Sequence, residues 1–299
     1  MFEQVSIIGC GLIGSSIFRA LKKTNLVKKI ITFDNDKSVS EIIEKENLSD
    51  KIVSNPKEAV NNSDIVLIST PLSKFESAIN SIKDHLKSGS ILTDTSSVKK
   101  GPNEIVKKIK LNNISWIPSH PVAGTEKSGP MAGFSELFKN RWTILSPEPN
   151  IKKEDIKKII DLWESMGSKV KIMSPTEHDQ ILSLTSHLPH VIAYNIVKTS
   201  MSNGDKQKND IIRYSAGGLR DFTRIAASDP IMWKDIFIDN SELIIDAIDD
   251  FIKNLTEFKN NIKEKDSKKL LDIFAKSKEF RKAVIKAGQD TDKPDFGRK

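Results

Sequence analysis

One histidine has neighbours that favour a shaped loop. His120 lies between Ser119 and Pro121, and glycines follow at positions 124 and 129. Proline and glycine favour a loop over a helix, and loops on a rigid scaffold commonly carry chemistry. An imidazole with an ordinary pKa of about 6.5 can accept a hydroxyl proton near neutral pH. His120 is therefore a candidate general base, although a lone histidine more often has a structural role.

The N-terminus carries a glycine-rich turn of the kind that binds dinucleotides. The apolar run Val5–Ile8 precedes the sequence GCGLIG at 9–14, and a helical pattern follows at 15–23. The glycines of such a unit permit a tight turn, close approach of the backbone to a pyrophosphate and close helix packing. A second apolar run, Ile30–Phe33, ends in Asp34, where a carboxylate accepts hydrogen bonds from ribose hydroxyls and repels a 2′-phosphate. The sequence therefore predicts NAD rather than NADP.

Two further segments extend the predicted cofactor site. Lys37 follows Asp34 closely and would favour a 2′-phosphate unless it is only a solvated surface lysine. The polar end of the apolar run 64–69 should also face the dinucleotide, since ligands bind at the carboxyl ends of parallel strands. The residues expected to bind the cofactor are Gly9, Gly11, Leu12, Ile13, Gly14, Asp34, Ser69, Thr70 and Pro71.

The first part of the chain alternates apolar strands with amphipathic helices. The runs 64–69 and 89–94 are almost wholly apolar, as in strands buried on both faces of a parallel sheet. Further strands are predicted at 115–117, 142–145 and 169–173. Four residues that could carry chemistry fall at predicted strand ends: Asp34, Thr70, Ser97 and His120. We expect these side chains to meet at one edge of the sheet.

The strand pattern stops near Pro175, and long helical patterns such as 241–255 follow. The prediction is an α/β chain with a Rossmann-type, doubly wound parallel sheet in residues 1–173. Residues 174–299 are predicted to form a mostly α-helical domain for substrate binding and dimerisation.

Composition excludes several classes of protein. The chain has 299 residues, one cysteine and a formal net charge of +7. The single cysteine excludes an internal disulfide, and no apolar run approaches the roughly 20 residues of a membrane span. The lysines are interspersed with acidic residues, and no basic stripe alternates with aromatic residues, which argues against nucleic-acid binding. We expect a cytoplasmic protein that binds neither membrane nor nucleic acid.

Polar clusters in the second half suggest the rest of a site. His187 and His190 are three residues apart, but no third ligand in an HExxH-like arrangement accompanies them, so we expect no metal. Asp221 and Arg224 are also three apart and follow a glycine pair. An arginine offers a planar fork for a carboxylate, and an aspartate can hold that fork in position. A surface ion pair on a helix is the alternative.

These elements together resemble a known family. The sequences GCGLIG, DIVLISTPL, DTSSVK, SHPVAGTEKSG, TSHLPH and GGLRDFTRIAASDPIMW, in this order, resemble the prephenate/arogenate dehydrogenases of tyrosine biosynthesis. The resemblance extends over nearly the whole chain, and the last three motifs are much more specific than the glycine turn. It implies NAD-dependent oxidative decarboxylation of prephenate or L-arogenate by a homodimer that pairs through its helical domain.

The resemblance also implies roles for residues near the reacting carbon. His120 matches the histidine that hydrogen-bonds the C4 hydroxyl of the substrate and assists its deprotonation. Ser97 matches a serine that contacts the same hydroxyl and orients the imidazole. His187 is expected to be structural. Trp233 matches a tryptophan at the edge of the site near the dimer partner, with a core position as the alternative.

A second group of residues is implied in substrate binding. Arg224 matches the arginine that binds a substrate carboxylate, and Asp221 and Glu126 match its acidic partners. His190 matches a histidine near the substrate's side chain, and Gly217 belongs to the same candidate set.

Two other readings remain open. A hydroxyacid or 6-phosphogluconate-type dehydrogenase also joins a dinucleotide-binding domain to a helical one, but it would need a lysine or lysine–asparagine centre, for which we find no equivalent. A non-catalytic NAD-binding sensor need not keep Ser97, His120 and Arg224 together. The choice between prephenate and arogenate is not decided by the sequence.

Overall fold

A parallel sheet forms the first layer of the fold in the computed structural model, which describes residues 1–202 and 205–288, the side chains of 205–208 excepted. Its six strands are β1 (Val5–Ile8), β2 (Ile30–Phe33), β3 (Lys51–Ile52), β4 (Ile65–Ile68), β5 (Ile91–Asp94) and β6 (Ser115–Trp116). They are arranged in the order β3-β2-β1-β4-β5-β6, and every pairing is parallel. This is the doubly wound order of dinucleotide-binding sheets, so the predicted fold class is confirmed.

Helices cover both faces of this sheet. They are α1 (Leu12–Leu21), α2 (Lys37–Lys45), α3 (Pro56–Val60), α4 (Leu72–Ile82) and α5 (Lys100–Ile109). Because side chains alternate along a strand, Ile7 and Leu67 enter one apolar cluster while Ile8 and Val66 enter another. Burial on both faces explains why β4 is uniformly apolar and why β1 is apolar except for Ser6, whose buried hydroxyl donates to the carbonyl of Ala59.

A second, three-stranded sheet carries the candidate histidine. It consists of β7 (Ser119–Pro121), β8 (Trp142–Leu145) and β9 (Lys169–Ile172) in that order, with α6 (Lys153–Ser165) between β8 and β9. His120 is paired with Ile144 across the antiparallel pair of β7 and β8. The expectation of a loop at the end of a parallel strand was therefore wrong for His120: the chain leaves the parallel sheet after Trp116, and His120 lies within a short strand.

The rest of the described chain is helical. The helices are α7 (Pro175–Leu182), α8 (Leu188–Met201), α9 (Asp205–Arg213), α10 (Gly217–Thr223), α11 (Pro230–Asp239), α12 (Ser241–Lys263) and α13 (Ser267–Lys286). A π-helical turn, Ser183–His187, joins α7 to α8. Of the second predicted domain, residues 203–204 and 289–299 lie outside the described residues.

Internal contacts divide the chain into two compact units, Met1–Ile244 and the part from Ile245 onward. The first unit contains both sheets and every candidate site residue. In the second, the rings of Phe258 and Phe274 lie 6.0 Å apart. None of the helices in the described residues is long and apolar enough to cross a membrane.

Candidate active site

The glycine turn is shaped for close approach of a ligand to the backbone. Gly9 has a φ of +93°, and a Cβ there would lie 2.6 Å from the carbonyl oxygen of Ser69. A Cβ at Gly14 would overlap the carbonyl oxygen of Gly9. Gly11 lies between them, and a Cβ added there would point into open space, with no non-neighbouring atom of the described residues within 4 Å. Packing thus requires glycine at positions 9 and 14, and Gly11 leaves room where a pyrophosphate would lie.

Asp34 is fixed at the carboxyl end of β2. Its Oδ2 accepts a hydrogen bond from the backbone N–H of Cys10 at 2.7 Å, and its Oδ1 accepts one from Asp36 at 2.9 Å. These bonds orient the carboxylate beside the glycine turn, and its remaining lone pairs can accept from ribose hydroxyls. Burial raises the pKa of the Cys10 thiol, which fits a small buried filler rather than a reactive group.

The segment after β4 completes this edge of the sheet. The backbone N–H of Ser69 donates to the carbonyl of Ile8 at 2.7 Å, and Pro71 precedes the first residue of α4. The hydroxyl of Thr70 is buried and has no hydrogen-bond partner within residues 1–202 and 205–288. Leu12 and Ile13 begin α1. A tight glycine turn and an unpartnered buried hydroxyl at one edge fit a dinucleotide.

His120 is buried and hydrogen-bonded through one ring nitrogen. Its Nδ1 lies 2.8 Å from Nε2 of His178, and the two rings meet edge to face with centroids 5.0 Å apart. Burial lowers the pKa of His120 well below its usual value, and the charges of His178, Lys99 and His187 lower it further. His120 is therefore neutral near pH 7, which is the form that accepts a proton.

Sequence reasoning missed His178 and Asp179, which lie on α7. Nδ1 of His178 donates to Oδ1 of Asp179 at 2.7 Å, and both side chains are buried. The signal available was a histidine–aspartate pair just after the helix start at Ser174, whose hydroxyl caps the N-H of Glu177. That pair lies 58 residues from His120 in sequence, and nothing local links the two.

A buried ion pair is hydrogen-bonded to the backbone of Ser119, the first residue of β7. Nζ of Lys99 lies 2.9 and 2.7 Å from the two carboxylate oxygens of Asp94, and it also donates to the carbonyl of Ser119 at 2.7 Å. Oδ1 of Asp94 in turn accepts from the backbone N–H of Ser119 at 2.9 Å. Both residues belong to the DTSSVK motif, but sequence reasoning gave them no role. They fix the residue before His120.

Ser97 lies in the same segment, two residues before Lys99, and is partly buried. Its side chain makes no hydrogen bond to His120 within the part of the chain that the structure describes. Its orienting role stays a prediction.

His187 and His190 pack around Trp233. The imidazole of His190 stacks on the indole with centroids 3.5 Å apart, and His187 meets the same indole edge-on at 6.2 Å. Nδ1 of His190 donates to the carbonyl of Ser186 at 2.9 Å, which leaves Nε2 as an acceptor in the neutral ring. Trp233 is buried in an apolar cluster with Val98 and Ile236, as in the core alternative. The π-helical turn before α8 carries His187 inward.

Arg224 is paired with Glu126. Its Nη1 lies 3.3 Å from Oε2 of Glu126, with 45% and 35% of the two side chains exposed. Arg224 begins a single 3-10 turn directly after α10, the helix that Gly217 opens and that contains Asp221. The charge of Arg224 also lowers the pKa of His190, after the larger effect of burial. The structure thus brings Arg224, Glu126 and His190 to one region.

Comparison with known proteins identifies the family of this chain. Residues 17–172 match the family described as "Prephenate dehydrogenase, nucleotide-binding domain", and residues 174–276 match "Prephenate dehydrogenase, dimerization domain". A cyclohexadienyl dehydrogenase from Zymomonas mobilis is 37% identical over 95% of this chain and 97% of its own length. A prephenate dehydrogenase from Bacillus subtilis is 30% identical over 94% of this chain and 76% of its own length.

A solved structure has the same fold. The prephenate dehydrogenase of Aquifex aeolicus, determined in complex with hydroxyphenyl propionate and NAD+, superimposes with a TM-score of 0.86 at 30% identity. The superposition covers 95% of this chain and 99% of that one. Both halves of the sequence and the fold therefore place this chain in the prephenate dehydrogenase family of oxidoreductases.

Proposed function

We propose that the protein catalyses the NAD-dependent oxidative decarboxylation of prephenate, L-arogenate or both. The observation that carries the proposal is a buried neutral histidine, His120, in the same compact unit as a dinucleotide-type glycine turn. The names of the relatives and the NAD+ bound to the Aquifex aeolicus enzyme support it.

His120 performs the proton transfer in this proposal. Its ring accepts the proton of the substrate's C4 hydroxyl as the C4–H bond breaks, and CO2 leaves from C1 so that the ring becomes aromatic. Bound NAD+ supplies the hydride acceptor. Because aromatisation drives the reaction, the protein mainly orients the reactants and removes the proton. Ser97 contacts the same hydroxyl.

Arg224 binds a substrate carboxylate in the proposal. In the structure an ion pair to Glu126 engages one of its five N–H donors. The guanidinium is thus held in place, and its other donors can form a bidentate pair with a carboxylate. Asp221 holds the arginine from the same helical segment, His190 lies toward the substrate's side chain, and Gly217 allows the approach.

A comparison of two substrates tests the proposed activity. We expect NADH to form when the purified protein, NAD+ and either prephenate or L-arogenate are mixed, and the ratio of the two kcat/KM values assigns the preference. NAD+ binding without NADH formation from either compound would favour the sensor reading. NADH formation only with an unrelated hydroxyacid would favour the other dehydrogenase class.

We also propose that the protein is a cytoplasmic homodimer with its domain boundary near residue 173. The family match at 174–276 is described as a dimerisation domain. Helices of this part expose large apolar side chains, among them Ile245, Ile252, Leu255, Ile262, Leu271 and Phe274. Apolar surface of this extent commonly marks an interface. Light scattering on the purified protein tests this, and a monomer at micromolar concentration would contradict it.

A further inference from the structure

The three side chains His120, His178 and Asp179 form one hydrogen-bonded row. Nδ1 of His120 lies 2.8 Å from Nε2 of His178, and Nδ1 of His178 lies 2.7 Å from Oδ1 of Asp179. All three are buried, with 7%, 0% and 1% of each residue exposed. Water therefore does not compete for these bonds, and the direction of each one is decided by the partners alone.

Asp179 sets the direction because its carboxylate only accepts. Besides the bond from His178, Oδ1 accepts from the backbone N–H of Lys99 at 2.8 Å, and Oδ2 accepts from that of Lys100 at 2.9 Å. Backbone N–H groups cannot accept, so each of these contacts requires an oxygen with a free lone pair. All three contacts therefore use the carboxyl group of Asp179 as an acceptor, and the donor in each of them lies on the other residue.

The row then has one consistent proton arrangement. His178 donates from Nδ1 to the carboxylate, so a neutral His178 carries no proton on Nε2, which must accept. The donor to that nitrogen is Nδ1–H of His120. A neutral His120 with its proton on Nδ1 has a lone pair on Nε2, the nitrogen that is free to take a proton from a substrate.

We propose that His178 and Asp179 are positioning residues that hold His120 as the Nδ1–H tautomer and leave Nε2 as the base. The proposal rests on the proposed function of His120 and adds two residues to it. When the hydroxyl proton of the substrate binds Nε2, the imidazolium keeps its Nδ1–H bond to His178. The carboxylate of Asp179 at the end of the row stabilises the new positive charge and accepts only hydrogen bonds.

The tautomer can be observed directly, without turnover. The protein is labelled with 15N-histidine, and long-range 1H–15N NMR spectra distinguish a protonated ring nitrogen from an unprotonated one. The signals of His120 are assigned by their loss in His120→Gln. We expect Nδ1 of His120 to be protonated and Nε2 to be unprotonated at pH 7. Protonation at Nε2, or an even mixture of the two tautomers, would overturn the proposal.

Two substitutions at His178 separate positioning from packing. His178→Phe keeps a ring but removes the acceptor, and we expect kcat to fall by about 100-fold or more with little change in KM. His178→Gln places an amide oxygen near the former Nε2 and an amide N–H donor beside it, so it should recover most of the loss. A matched control is Gln180→Ala, an exposed position on the same helix.

Two kinetic results would contradict a positioning role for His178. A His178→Phe protein with the kcat of the wild type, or a His178→Gln protein as slow as the phenylalanine variant, contradicts positioning. If His178→Phe does not fold, the wild-type spectrum and His178→Gln still decide. Failure of the proposed function gives a different pattern: the wild type would oxidise neither prephenate nor arogenate, whatever tautomer the spectra show.

Discussion

Lys99 and Asp94 form an ion pair whose side chains are both fully buried, with Nζ 2.7 Å from Oδ2. Burial lowers the pKa of Lys99, while the charge of Asp94 and a hydrogen bond to it oppose that effect. The pair is also bonded to the backbone on both sides of Ser119. Its two partners therefore depend on each other, because either charge alone would be stranded away from water.

Loss of one partner of this pair should destabilise the protein strongly. We expect Lys99→Met to lower the free energy of unfolding by about 3–5 kcal/mol, because Asp94 would remain buried and unpaired. Chemical denaturation measures the change. Lys23→Met is the control, since its pair with Glu136 is exposed and such pairs contribute about 0–1 kcal/mol. Equal effects at the two positions would show that the burial of Lys99 is not decisive.

His120→Ala should lower kcat by orders of magnitude and change KM little, because the base acts mainly in the transition state. In the wild type, kcat/KM should fall as the pH drops through the pKa of His120. Burial and the neighbouring charges of His178, Lys99 and His187 lower that pKa, so the decline should lie below pH 6.5. His85→Ala, at an exposed histidine, is the control. Near-normal kcat in His120→Ala would contradict the assignment.

Arg224→Ala should raise KM for the substrate, because it removes the charge-assisted hydrogen bonds to a substrate carboxylate. Since 45% of the Arg224 side chain is exposed, the loss should lie near the lower end, about 2 kcal/mol, of the range for buried charge pairs. Arg224→Lys should recover only part of this, because an ammonium keeps the charge but lacks the planar fork. NAD+ affinity, measured separately by calorimetry, should stay unchanged. Arg213→Ala is the matched control on an exposed part of α9. A surface ion pair with Glu126 and no further role predicts an unaltered KM instead.

Substitutions at Asp34 should separate its hydrogen bond with the glycine turn from the effect of its charge on nucleotide preference. Asp34→Asn keeps an oxygen that can accept from the N–H of Cys10, but it removes the charge that repels a 2′-phosphate. We expect this variant to gain NADP+ binding with a modest loss for NAD+. Asp34→Ala should weaken the binding of both nucleotides, since the N–H of Cys10 in the glycine turn also loses its acceptor. Fluorescence titration with each nucleotide measures this, and a wild type that binds both equally would refute the role of Asp34.

Acid should destabilise the protein through its buried histidines. Burial lowers the pKa of His187 to about 4, and it also lowers those of His120, His178 and His190. The unfolded chain then binds more protons than the folded one below pH 6.5. As the pH falls from 6.5 toward the pKa of each histidine in the folded protein, that histidine should lower the free energy of unfolding by up to about 1.4 kcal/mol per pH unit. Thermal unfolding between pH 7 and 5 measures the slope, which His187→Gln should reduce. His85→Gln, at an exposed histidine, is the control.

The parallel sheet could be predicted because its signal is local. Strands such as Val5–Ile8 and Ile65–Ile68 are buried on both faces, and a short, mostly apolar run between helical patterns is enough to reveal them. The departure of β7 from that sheet could not be read in the same way. Its three residues are paired with β8 across a long connection, and the alternation of residues in so short a strand indicates no partner.

Only part of the candidate site could be predicted from the sequence. Glycine turns, Asp34 and the neighbourhood of Arg224 have distinctive local patterns, whereas His178 and Asp179 sit among polar residues on an ordinary capped helix. This pair has a role because it contacts His120 and the start of α5. Such tertiary contacts cannot be recognised from the local sequence. The same holds for Lys99, since lysine side chains are ordinarily exposed and the full burial of this one depends on its pairing with Asp94.

The carboxylate of Asp179 also caps α5 from a distant part of the chain, by accepting from the backbone N–H groups of Lys99 and Lys100. Helices usually receive such caps from the residue just before them. Here the cap comes from the region matched as the dimerisation domain. These two amides can therefore exchange their hydrogens with solvent only when α7 moves away from α5. Their exchange rates would report how often the nucleotide-binding and helical parts separate at this contact.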